Sequence, residues 1–153
     1  MKHVKNIKLL ASLLSLVGAA VWLAGCSGSD GGGGGGGAGN GTNAPTSIAG
    51  KAISHNITSG TAPLPSSGSF VLHAQGAAGD TTGPYTITGT GSITNSSGTY
   101  SYSQTDANTG TLHLDDSALG TVDETLTFTT PRSGTYQSSS GSGGQQSGTF
   151  ITN

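Results

Sequence analysis

Beyond residue 47 apolar and polar positions alternate at period two, and no window carries apolar residues at helical spacing. Runs of that alternation, separated by Gly, Pro, Asn, Asp and Ser clusters, predict eight strands. They cover 48–57, 69–75, 84–94, 99–106, 111–117, 122–130, 135–140 and 146–152. The connections are short, so consecutive strands pair antiparallel. The expected fold is all-β, a small antiparallel eight-stranded up-and-down barrel.

Four strands share an opening: Gly98-Thr99-Tyr100, Gly110-Thr111-Leu112, Gly134-Thr135-Tyr136 and Gly148-Thr149-Phe150. Each Gly is expected to turn the corner at positive φ, each Thr to suit the pleat, and each following large residue to face inward. Parity within the strands gathers Tyr85, Ile87 and Ile93, Tyr100 and Tyr102, Leu112 and Leu114, Val122, Leu126 and Phe128, Tyr136 and Phe150 on one face, opposite Thr, Ser and His. That face is the core. An eight-stranded interior is filled by its own side chains or holds one small ligand. For the second case the expected lining is Tyr85, Ile87, Tyr100, Tyr102, Leu114, Phe128 and Tyr136.

The N-terminus departs from this pattern. Lys2, Lys5 and Lys8 precede an apolar run from Leu9 to Leu23, interrupted by Ser12, Ser15 and Gly18 and closed by Leu23-Ala24-Gly25-Cys26. The run has the shape of a secretory signal and is short for a membrane span of about 20 apolar residues. Its ending resembles the lipobox of bacterial lipoproteins. The resemblance implies that residues 1–25 are removed and that Cys26 is acylated, with two or more acyl chains giving a stable membrane anchor. Ser27, rather than Asp, after the Cys favours the outer membrane over the inner in that family. Residues 26–47, with seven consecutive Gly at 31–37, read as the lipidated Cys and a flexible tether reaching on the order of 25 Å. The Gly run has no Gly-Lys-Ser/Thr ending and no phosphate-loop context. The expected domain is residues 48–153.

Charge and chemistry narrow the function. After Cys26 only Lys51 and Arg132 are basic, against seven acids, which excludes a nucleic-acid footprint. The single Cys excludes an internal disulfide, and its acylation would exclude a catalytic thiol. His73 and His113 take the parity of the polar face. His55 shares parity with Ile53 and Ile57 and is expected inside, satisfied by a Tyr or Thr hydroxyl or by a ligand. Asp115, Asp116, Asp123 and Glu124 flank one short connection and read as a solvated, edge-protecting acidic tip rather than a cation site. There is no nucleophile elbow, and Glu124 is the only Glu, so no catalytic residues, metal or cofactor are expected.

The words Gly98-Thr-Tyr-Ser-Tyr, Asn108-Thr-Gly-Thr-Leu-His-Leu, Thr125-Leu-Thr-Phe-Thr, Ser133-Gly-Thr-Tyr and Ser147-Gly-Thr-Phe resemble the C-terminal half of MoaF-like domains. These are small calycin, or lipocalin-like, barrels of bacterial envelope proteins, and the resemblance covers residues 97–153. It implies a non-catalytic barrel that binds a small apolar or amphipathic molecule. The alternative from a different class is a structural surface lipoprotein that contacts a protein or glycan through its Thr/Ser-rich outer face.

Overall fold

The structure, a computed structural model, describes residues 41–153. The signal segment, Cys26 and most of the expected tether lie outside the described residues. Eight strands run in chain order: β1 (Ala52–Gly60), β2 (Gly68–Ala74), β3 (Thr82–Thr90), β4 (Ser96–Gln104), β5 (Thr109–Asp116), β6 (Gly120–Thr130), β7 (Ser133–Ser140) and β8 (Gln145–Thr152). Each pairs antiparallel with the next, and β8 returns to β1, so the sheet closes into a barrel. The closing seam runs from Ile53↔Thr152 to Gly60↔Gln146, with a bulge between Ile57 and Ser59. Closure leaves no strand edge to pair with another chain.

Alternation is carried through to burial. In β6 the inward positions Val122, Glu124, Leu126 and Phe128 are buried, while Asp123, Thr125 and Thr127 are exposed. The core holds Ile53, Leu72, Tyr85, Tyr100, Tyr102, Leu112, Leu126, Phe128, Tyr136 and Phe150 among others. Burying each large side chain contributes about 1.5–3 kcal/mol. Ile93 is the exception to the expected parity set. β3 ends at Thr90, and Ile93 sits half-buried in the β3–β4 loop, packed over Gly68. Gly91, at φ 69°, starts the turn that ends β3 early.

The four recurrent glycines have a different role from the expected one. None of Gly98, Gly110, Gly134 and Gly148 has positive φ, and all four lie within strands. They make room for aromatic rings. Tyr85 is the register partner of Gly98, Phe150 of Gly134 and Tyr136 of Gly148, while Tyr102 covers Gly110 diagonally. A Cβ at Gly134 would lie 2.9 Å from the Phe150 ring and overlap the Thr127 carbonyl oxygen. Missing side chains let the sheet curve tightly while the neighbouring ring fills the space. Gly134→Ala is therefore expected to destabilise the barrel by about 1–3 kcal/mol through overpacking, read as a lower urea midpoint.

The two ends of the barrel differ. At the end where β1 starts, residues 43–50 cross the opening. Asn43 and Ala44 donate backbone N–H bonds to the Ala107 carbonyl, and Ala44 and Ile48 are buried. The domain thus extends a few residues before the expected boundary at 48, because two small apolar side chains of the segment cap the core. The opposite mouth is ringed by the β1–β2, β3–β4, β5–β6 and β7–β8 connections.

Candidate functional site

A cavity of about 150 Å³ lies inside that mouth. Its lining mixes apolar side chains, among them Leu64, Phe70, Ile87, Leu114, Leu119 and Val122, with the polar Ser96, Asp116, Glu124, Ser138 and Gln146. Parity dictates this mixture: Asp116 continues the inward series Leu112, Leu114, and Glu124 stands between Val122 and Leu126.

Of the seven residues expected to line a ligand, Ile87 and Leu114 border the cavity. The other five are buried elsewhere in the interior. Tyr85 donates its hydroxyl to Asp116 Oδ2 at 2.7 Å. Tyr100 and Tyr102 point to the capped end, donating to the carbonyls of Gln75 and Pro45 at 3.1 and 2.9 Å. Phe128 meets Phe150 edge-on, with ring centroids 4.9 Å apart. Tyr136 donates to Gln146 Oε1 at 3.2 Å and stands edge-on to His55. Burial pushes the Tyr102 hydroxyl up to about 12 and raises Tyr85 and Tyr136 as well, so all three are neutral donors at physiological pH.

His55 faces inward as expected, yet its partner is a carboxylate. Nδ1 lies 3.1 Å from the Ile53 carbonyl, which can only accept, so Nδ1 carries a proton. Nε2 lies 3.0 Å from Glu124 Oε1, and Ser138 Oγ donates to Glu124 Oε2 at 2.9 Å. One proton is shared between imidazole and carboxylate, so the pair is neutral as a unit. The ring is fixed by Phe70, stacked at 4.3 Å and 8°, and by Tyr136 at 89°.

The expected solvated acidic tip is corrected in half its members. Asp116 and Glu124 are only 7% and 3% exposed, because odd and even positions on a strand face opposite sides. Asp115 and Asp123 remain outside, flanking exposed His113, with Asp123 Oδ1 2.6 Å from His113 Nδ1. That hydrogen bond raises the His113 pKa. Among the described residues no group of three or more His, Cys, Asp or Glu is arranged to hold a metal ion.

Asp116 organises the mouth. Oδ2 accepts from Tyr85 and Ser96, and Oδ1 from the backbone N–H groups of Ala118 and Leu119, which tie down the β5–β6 connection. Burial opposes its ionisation, but the four hydrogen bonds outweigh that and hold its pKa below the ordinary carboxylate value. A depressed folded pKa contributes stability that is present above the unfolded value of about 3.9 and lost as pH falls through the folded one. Asp116→Asn is accordingly expected to flatten the acid limb of a stability–pH curve below about pH 4, while lowering stability at neutral pH.

A sheet of eight sequential antiparallel strands closed on itself, with a capped end and a hollow mouth, defines the class of small up-and-down β-barrels. Among solved structures, a redesigned β-barrel is similar: 18% identical, covering 68% of this chain and 90% of that one, with a TM-score of 0.50. The likeness is one of fold. No protein-family model and no curated protein matches the chain.

Proposed function

We propose that this protein is a lipid-anchored component of the bacterial cell envelope that, without catalysis, binds a small apolar or amphipathic ligand in the mouth of its barrel. The observation that carries the binding half is the mouth cavity itself, whose lining mixes apolar side chains with hydrogen-bonding groups. Its volume of about 150 Å³ suits a ligand the size of one aromatic ring, since an engineered apolar cavity of that volume takes up benzene. A place among the MoaF-like calycins fits the strand order and number. Supporting the non-catalytic reading, His55 does not contact the Ser138 hydroxyl; both bond to Glu124, which leaves the serine without an imidazole base.

The anchoring half rests on the residues that end the signal segment at Cys26. Cys26→Ser is expected to move the protein from the membrane pellet to the soluble or precursor fraction, measured by fractionation and by the loss of incorporated radiolabelled fatty acid. Retention of label in the variant would refute the anchor. For the ligand, native mass spectrometry of the full chain extracted from its own envelope tests the reading. An added mass that leaves on denaturation is expected. A clean apo mass, together with no uptake of small aromatic probes, would refute it and turn attention to the outer face.

A further inference from the structure

The mouth cavity has a charge sign. Asp116 is held ionised by four donors, and Glu124 on the adjacent strand β6 is balanced by His55, which reaches it from β1. The wall therefore carries about one uncompensated negative charge. No Lys or Arg lines the cavity. Among the described residues the only two are Lys51, just before β1, and Arg132, in the β6–β7 turn, both at the capped end. Of the titratable groups only Asp116 on β5 and Glu124 on β6 line the cavity, with Tyr85 on β3 bonded to the first, His55 on β1 bonded to the second and Tyr136 on β7 packed against His55. None offers an anion a free positive partner.

Carrying a carboxylate into this space would place it beside two others, whereas an ammonium would be attracted by the Asp116 charge, whose acceptor positions are already taken, and would donate to a free lone pair of Glu124, each of whose oxygens accepts only one bond. Phe70, in the lining, adds a ring face or edge to the contact surface. Resting on the reading of the mouth as the ligand site, we infer that its ligands are small amphipathic cations: an ammonium directed at Asp116 and Glu124, and an apolar body of about one ring against Ile87, Leu114 and Val122. Fatty acids and other anionic amphiphiles are excluded by the same argument.

The test is calorimetric titration of the full chain at pH 7 with three probes of equal size and different charge: benzylamine, benzyl alcohol and benzoate. The expected order is benzylamine about tenfold or more tighter than benzyl alcohol, with benzoate undetected. Asp116→Asn, which removes the uncompensated charge, is expected to remove most of the difference between amine and alcohol, with folding checked by the thermal transition. Val122→Phe, which fills the cavity and leaves both carboxylates, is expected to abolish binding of both, with folding checked by the thermal transition. Equal binding of amine and alcohol, or binding of benzoate, would overturn the charge assignment and leave the binding reading in place. Failure of all three probes would overturn both.

Discussion

Glu124→Ala is expected to lower the unfolding free energy by about 3–5 kcal/mol, among the largest effects of any single substitution in this barrel. The side chain is 3% exposed, its His55 partner is fully buried, and each carboxylate oxygen has a hydrogen-bond donor. Truncation would leave His55 facing an empty acceptor position and the Ser138 hydroxyl unpaired. An orphaned buried polar group costs more than the bond it made was worth. The described residues contain no buried side-chain N or O atom without a partner, so such an orphan would be new to this interior. Replacing both members, His55→Leu with Glu124→Leu, is expected to cost much less than the two single changes added together, because the desolvation penalty disappears with the pair. Urea denaturation of the four species gives the coupling directly. Additive losses would mean that the two groups do not act as a unit.

Phe128→Ala is expected to cost about 3–5 kcal/mol as well, through the cavity it leaves. Phe128 is 2% exposed and packs edge-on against Phe150, whose ring covers Gly134 on the neighbouring strand. Collapse into the space is limited, because the Phe150 ring beside it is already seated over Gly134. The substitution separates packing from binding: Phe128 does not border the mouth cavity, so a shifted urea midpoint is expected with unchanged uptake of a small aromatic probe. Altered uptake would mean that the interior is one continuous chamber.

Much of the barrel was legible because its strands obey one rule, alternation, and its connections are too short for anything but sequential pairing. Parity alone places His55 inside. What parity does not give is who meets whom: β1 and β6 are not neighbours, and the His55–Glu124 bond crosses the interior at a distance fixed only by barrel closure. The acidic cluster misled for the same reason. Two pairs of acids flanking one short connection look like one solvated tip, yet the pleat sends Asp116 and Glu124 one way and Asp115 and Asp123 the other. The repeated Gly-Thr-aromatic words also read as turns when taken strand by strand. Their purpose appears across strands, where each aromatic ring lies over a neighbour's glycine. The division of the interior into a filled half and a hollow mouth depends on residues 43–50 capping one end, and that segment carries little periodic signal.

The most direct test of a ligand site confined to the mouth is a ¹⁵N–¹H correlation spectrum of the protein titrated with benzylamine. Shifts are expected at Phe70, Leu114, Leu119, Val122 and Glu124 and none at Tyr100, Tyr102 or Ile48 at the capped end. Shifts centred on the capped end or spread over the outer Thr and Ser positions would contradict a site in the mouth.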